Sequence, residues 1–116
     1  MNDFDIPIFK KTYDLYKTLH EYRRLVPKND RFTIFERAEQ TTLDLIESIM
    51  LAGSQKAQEK IQTLESASIK LNMLRVFIRL MKDIKTLDGK KYITIENIID
   101  EIGRMLGGWI RSNKVA

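Results

Sequence analysis

The chain has 116 residues, with 20 Lys and Arg against 16 Asp and Glu, one histidine and no cysteine. This length suits a single domain over residues 1–116, and the missing cysteines exclude a disulfide framework and thiolate metal sites, so that a reducing, cytoplasmic setting is expected. Acidic residues near the start and apolar runs of at most four residues predict neither an export signal nor a membrane span.

A first helix is predicted to begin between Asp5 and Pro7 and to run to about Val26. Proline suits the first turn of a helix, and the residue before a second proline, Pro27, avoids helical geometry. Three cations recur at intervals of seven along one edge of this helix, which makes that edge a candidate contact surface. They are Lys10, Lys17 and Arg24.

The second helix is predicted from its capping signal, Thr33-Ile-Phe-Glu36, to about residues 52–54. In this spacing the hydroxyl and the carboxylate each satisfy a backbone donor at the helix start. Glu39 falls on the apolar side of the same helix. A buried acid costs several kcal/mol unless it is paired. A basic or hydroxyl partner on another helix is therefore predicted, with a metal-binding or catalytic carboxylate as the alternative.

The third helix is predicted from a Ser54 cap through Leu87, because no glycine or proline interrupts it. Its stretch Ile69 to Leu87 is apolar over roughly 220° of the circumference, which is wider than the stripe needed to face one core. One apolar side is expected to face the bundle and the other a second subunit. The remaining polar strip carries Arg75, Arg79 and Lys82.

A turn is predicted at Asp88-Gly89, followed by a last helix over about residues 94–112. Gly103 and Gly107 lie four residues apart at the border of its apolar face, a spacing that lets another backbone approach closely. Four helices with short connections and an apolar period of 3.6 residues predict an all-α, antiparallel up-down four-helix bundle.

The residues that catalysis or metal binding requires are scarce in this sequence. His20, the single histidine, lies on the aromatic side of the first helix, and we interpret it as a core residue rather than a catalytic one. A di-metal bundle needs two Glu-x-x-His units, and phosphate-binding glycine loops, nucleophile elbows and zinc spacings are also missing. No enzymatic activity, metal or cofactor is therefore predicted.

Positive charge is concentrated in one part of the chain. Residues 70–91 hold seven bases and two acids, whereas residues 36–59 hold five acids and two bases. A row of Arg and Lys on a rigid helix is suited to the phosphates of a nucleic acid. Because no base-reading module is present, the protein is expected to recognise the backbone and shape of the nucleic acid rather than its base sequence. The alternative is that these cations pair with the acids of the second helix in a neighbouring subunit. The residues alone leave both interpretations open.

Four segments carry a more specific pattern. They are Lys11-Thr-Tyr-Asp-Leu-Tyr-Lys-Thr-Leu-His20, Val26-Pro-Lys-Asn-Asp-Arg-Phe-Thr33, Leu74-Arg-Val-Phe-Ile-Arg-Leu80 and, most specifically, Glu101-Ile-Gly-Arg-Met-Leu-Gly-Gly-Trp109. With these segments in this order, the chain resembles the accessory variability determinant (Avd) family of diversity-generating retroelements. It is also similar, more loosely, to small four-helix proteins encoded by insertions in bacterial 23S ribosomal RNA genes.

The Avd resemblance implies a basic four-helix bundle that assembles into a pentamer, associates with a reverse transcriptase and binds nucleic acid. Such an accessory protein has no catalytic centre and supports mutagenic copying of a template RNA into cDNA. The family-like basic positions are Arg75, Arg79 and Arg104. From helical position we add Lys82, Lys85, Lys10, Lys17 and Arg24 to the candidate interface. The looser likeness implies the alternative, a module that binds other proteins and no nucleic acid.

Overall fold

The computed structural model describes residues 5–114, with side chains from residue 7 onward. Its helices are α1 (Asp5–Arg23), α2 (Lys28–Arg31), α3 (Ile34–Ser54), α4 (Ala57–Asp83) and α5 (Gly89–Lys114). The four long helices run alternately up and down and pack in the order α1, α3, α4 and α5, with α1 closing the ring against α5. The bundle measures 47 × 21 × 19 Å. The predicted all-α four-helix bundle is confirmed, whereas the single turn α2 was not predicted.

The core is a column of aliphatic and aromatic side chains from all four long helices. Trp109 and Phe35 are its largest fully buried members, and most of the others are leucine and isoleucine. Each such side chain contributes roughly 1.5–3 kcal/mol on transfer from water. The buried hydroxyls of Thr12 and Thr42 donate to the carbonyls four residues earlier, at 2.8 and 2.9 Å. These polar groups are therefore satisfied within their own helices.

At the starts of α3 and α4, the side chain predicted to cap the helix makes a different hydrogen bond. Thr33 precedes α3 as expected, but its hydroxyl donates to the carbonyl of Asn29 in α2 at 3.1 Å, so the predicted capping box with Glu36 is wrong. The adjacent turn of α2 offers that hydroxyl an acceptor. Ser54 is the last residue of α3 and donates to a carbonyl three residues earlier at 2.9 Å. It therefore does not cap α4, which begins three residues later.

The end of α4, at Asp83, comes four residues before the predicted end at Leu87, because the chain turns back in a Schellman arrangement. Thr86 N donates to Met81 O at 2.8 Å, and Lys85 N donates to the carbonyl three residues earlier at 3.1 Å. Lys85 occupies the position that commonly carries glycine, and its φ of 66° lies in the left-handed region. The turn leaves Leu87 buried.

Replacing Lys85 with glycine is expected to raise the free energy of unfolding by about 0.5–1 kcal/mol, because glycine adopts a positive φ without the steric cost of a Cβ atom. Chemical denaturation measures the change. Lys85→Ala removes the same charge and keeps the Cβ atom, so it should give no comparable gain. An equal gain in both variants would assign the effect to charge and contradict the backbone explanation.

The start of α5, at Gly89, comes about five residues before the predicted one, because Asp88 caps the helix. Asp88 Oδ1 accepts a hydrogen bond from Lys91 N at 2.8 Å, and Oδ2 lies 2.7 Å from Lys91 Nζ. These hydrogen bonds from Lys91 hold the pKa of Asp88 below its ordinary value.

Replacing Asp88 with alanine is expected to lower the thermal midpoint by about 3–6 °C, because the cap is removed. Because folding lowers the pKa of Asp88, its ionised carboxylate stabilises the folded chain fully at pH values above the ordinary pKa of 3.8. This stabilisation is lost as the pH falls through the lower pKa of the folded state. Asp88→Asn keeps a capping oxygen, so it should retain most of the midpoint and lose the part of the pH dependence that Asp88 contributes. Thermal melts across the acidic range test this, and an unchanged pH profile in Asp88→Asn would contradict it.

Candidate nucleic-acid and protein interface

The predicted cationic strip on α4 faces α5, and both of its arginines have carboxylate partners in their own chain. Arg75 Nη1 pairs with Asp100 Oδ1 on α5, and Arg79 Nε lies 3.5 Å from Asp83 Oδ1 on α4. Both arginines remain at least partly exposed. The strip therefore carries less net charge than its arginine and lysine residues alone indicate.

The glycines of α5 make room for arginine side chains. A Cβ atom at Gly103 would lie 2.8 Å from Arg75 Nη2, and one at Gly107 would lie 3.3 Å from Arg111 Nη1. Among the described residues, the nearest atoms beyond the helix backbone are guanidinium nitrogens, so arginine side chains of the same chain, and no other part of its backbone, fill the space beside these glycines. Gly103 thereby leaves space for the guanidinium of Arg75 beside Asp100.

A groove of about 300 Å³ between α4 and α5 is lined by both signs of charge. The two paired arginines line it from α4, and Glu96 and Asp100 line it from α5. The adjacent Glu96 carboxylate raises the pKa of Tyr92 in the same groove. Lys82 Nζ lies 4.8 Å from the centre of the Tyr92 ring. Mixed charge of this kind complements a protein surface better than a row of phosphates.

The remaining predicted cations lie on other elements. They are Lys85 on the turn after α4, Arg104 on α5, and Lys10, Lys17 and Arg24 along α1 and the turn that follows it. All five are exposed, and within residues 7–114 none of them forms an ion pair with a carboxylate. The structure therefore does not gather the candidate cations on one helix. Arg111 is also exposed but was not among the predicted interface residues. Its spacing of seven residues from Arg104 places both side chains on one helical face, and this spacing could have identified it.

The two residues considered for catalysis differ in their surroundings. Glu39 is buried in α3 and pairs with Arg23 Nη1 on α1, so its predicted basic partner is confirmed. His20 is exposed, with its ring 6.4 Å from that of Tyr16, and its interpretation as a core residue is wrong because Leu19 takes the core position in that turn. Both His20 and Glu39 line a cleft of about 260 Å³, where the carboxylate is already paired with Arg23.

A row of apolar side chains lies on the outer surface of α4, and we call it the α4 stripe. It consists of Ile69, Met73, Val76, Leu80 and Ile84. Spacings of three and four residues place them on one helical face. Ile69 and Val76 are 62% and 64% exposed. The second apolar side predicted for this helix is therefore present, and the single chain leaves it uncovered.

A second apolar surface lies between α1 and α3, and we call it the α1/α3 groove. It has a volume of about 630 Å³, and its walls include Phe9, Tyr13, Tyr16, Leu43, Ile46 and Met50. Lys17, His20 and Glu21 also line it. Because α3 packs against both α1 and α4, it separates the groove from the helix that carries the α4 stripe. Contiguous apolar surface is characteristic of contact and ligand-binding sites, which makes both surfaces candidate interfaces.

A model of the bAvd-like family matches residues 7–113, which include almost all of the four long helices. The chain belongs to the bAvd-like family. The match confirms the resemblance carried by the four sequence segments. Comparison with curated proteins gives no match.

The segment Glu101 to Trp109, the most specific part of the resemblance, has a clear structural role in this bAvd-like protein. Trp109 is fully buried in the core, and Gly103 accommodates the guanidinium of Arg75. Arg104 lies exposed between these positions. None of the described helices of the bAvd-like chain is long and apolar enough to cross a membrane.

Proposed function

We propose that this protein is a non-catalytic accessory protein of a diversity-generating retroelement, which binds a reverse transcriptase and its template RNA during mutagenic copying. Membership of the bAvd-like family supports this role. The observation that carries the RNA contact is a set of exposed cations without carboxylate partners among residues 7–114: Lys10, Lys17, Arg24, Lys82, Lys85 and Arg104. Cations held on a rigid bundle neutralise phosphates without a change in the fold.

Charge reversal on α1 tests the RNA contact. The affinity for RNA should fall steeply as the salt concentration rises. In a plot of the logarithm of the affinity against the logarithm of the salt concentration, the steepness of the line should decrease by about 0.7–0.9 for each phosphate that the variant no longer neutralises. We expect Lys10→Glu with Lys17→Glu to weaken binding about tenfold or more. The matched control, Lys56→Glu with Lys90→Glu, changes the charge equally at two exposed lysines outside the proposed set, which also lack carboxylate partners among residues 7–114. Equal losses of affinity in both variants would remove α1 from the RNA-binding surface.

The paired arginines of α4 are better suited to the reverse transcriptase than to RNA. Arg75 and Arg79 share their groove with Glu96 and Asp100, and a protein surface complements such a pattern. We expect Arg75→Ala with Arg79→Ala to reduce co-purification with the reverse transcriptase and to leave RNA affinity within about twofold. The opposite pattern, with RNA affinity abolished and co-purification retained, would assign both arginines to RNA.

The same mixed charge favours a second candidate function, a four-helix module that binds proteins and no nucleic acid. In that case the unaltered protein would have no measurable affinity for RNA at physiological salt. The two candidates therefore differ in a direct binding measurement on the whole chain.

We propose further that copies of the chain assemble head to tail, with the α4 stripe of one copy in the α1/α3 groove of the next. Both surfaces are apolar and open in the single chain. A contact between two different surfaces of one chain is heterologous, and it forms a ring when the rotation closes. The family resemblance favours a ring of five copies. The mass of the assembly in solution, measured by light scattering, tests the number.

A further inference from the structure

Phe32 is an exposed aromatic residue at the corner of the bundle where α2 meets α3. Its side chain is 66% exposed. The guanidinium carbon of Arg23 lies 5.0 Å from the centre of the ring, and Arg23 is itself held by the buried Glu39. The ring is therefore supported by a fixed cation, while most of its surface stays open to a ligand.

A cationic cavity of about 420 Å³ adjoins this corner and shares Arg23 with it. Its lining residues are His20, Glu21, Arg23, Arg24 and Arg31, so three guanidinium groups accompany a single carboxylate. Arg31 Nη2 donates to Val26 O at 3.1 Å and to Arg24 O at 3.3 Å, which anchors the side chain. Its buried Nε has no acceptor among the described residues. Arg31 therefore brings a fixed positive charge to the wall of the cavity, and guanidinium groups held in this way favour a ligand with a negatively charged acceptor.

An aromatic ring beside guanidinium groups is suited to one nucleotide, because the base stacks on the ring and the phosphate binds the arginines. A base within a duplex is already stacked on its neighbours and cannot reach such a ring, so the matching ligand is single-stranded. An acidic protein surface would satisfy the cations without needing an aromatic ring beside them, whereas a nucleotide uses both features.

We propose that this corner is a subsite for single-stranded RNA, in which an unpaired base stacks on Phe32 and the adjacent phosphate binds Arg24 and Arg31. The inference rests on the proposed RNA binding and adds to it a preference for unpaired over paired strands. It also separates Arg24 from the general charge of α1, because Arg24 acts here together with an aromatic ring.

Fluorescence anisotropy with a labelled single-stranded RNA and a blunt RNA duplex of equal length tests the subsite. We expect Phe32→Ala to weaken binding of the single strand about tenfold and to leave the duplex affinity unchanged. Phe32→Trp should retain binding, since it keeps a stacking surface. Because Phe32 is largely exposed, its replacement should leave the circular dichroism spectrum and the thermal midpoint close to those of the unaltered protein.

Arg24→Ala should reduce the salt slope of single-strand binding by about one. Lys28→Ala, which removes a nearby cation that does not line the cavity, is the matched control and should have a smaller effect.

Single-strand binding that is unaffected by Phe32→Ala, or equal losses of affinity for strand and duplex, would overturn the subsite while the proposed function stands. A variant that fails only to associate with the reverse transcriptase would make Phe32 a protein contact and also overturn it. Failure of the unaltered protein to bind either RNA would overturn both proposals.

Discussion

Replacement of Arg23 by alanine is expected to destabilise the bundle by about 2–4 kcal/mol, because the carboxylate of Glu39 would remain buried without its cationic partner. Glu39 is only 6% exposed and lies in α3 among core residues. Arg23 is partly exposed, so some solvent already screens the pair and the effect should fall in the lower part of the range for broken buried pairs. Such a decrease is a large fraction of the stability of a small domain. Chemical denaturation measures it.

A double replacement separates the effect of the buried charge from that of the missing side-chain packing. Arg23→Met with Glu39→Leu replaces both charges by apolar groups of similar length, and it should recover most of the stability that Arg23→Ala loses. Arg24→Ala, at the next position, is the matched control, since Arg24 is exposed and forms no ion pair among residues 7–114. The control should change the stability by less than about 0.5 kcal/mol. An Arg23→Ala variant as stable as this control would show that Glu39 does not depend on the pair.

Apolar periodicity was sufficient to predict the number and order of the long helices, because an apolar face must be buried against another helix. Local hydrogen bonds determined the helix ends, and periodicity does not reveal them. Asp88 accepts a bond from Lys91 N and starts α5 early, and the positive φ of Lys85 ends α4 early. Two hydroxyls predicted as caps, those of Thr33 and Ser54, donate instead to carbonyls in preceding helices.

Within the candidate interface, the sequence was sufficient to assign the cations to their helices, but it did not identify all of the carboxylates with which they pair. Arg75 falls on the polar strip of α4, but Asp100 is far along the chain and becomes its neighbour only when α4 packs against α5. The need of Glu39 for a base was predictable, because the cost of an unpaired buried acid does not depend on which helix supplies the partner. His20 was misplaced because the core boundary passes between it and Leu19.

Replacement of Val76 by glutamate is expected to convert the proposed head-to-tail assembly into single chains of 13.6 kDa. Val76 lies at the centre of the α4 stripe and is 64% exposed in the single chain, so the carboxylate is hydrated until a second copy covers it. Covering an unpaired charge costs several kcal/mol, which weakens association by roughly a thousandfold or more. Light scattering over a range of protein concentrations measures the mass, and circular dichroism should show that the chain stays helical. Asn72→Glu, an exposed position of α4 outside the stripe, is the control that should leave the assembly intact.

A complementary variant in the α1/α3 groove distinguishes head-to-tail assembly from a symmetric contact between two stripes. Leu43→Glu should also yield single chains, because each head-to-tail contact uses one stripe and one groove. Each variant keeps one intact surface, so a mixture should form a one-to-one dimer in which the stripe of the Leu43→Glu chain occupies the groove of the Val76→Glu chain. That dimer cannot extend, since both of its remaining surfaces carry a glutamate. A stripe-to-stripe dimer would instead survive Leu43→Glu, and mixing the variants would then produce no new species containing both chains in equal amounts.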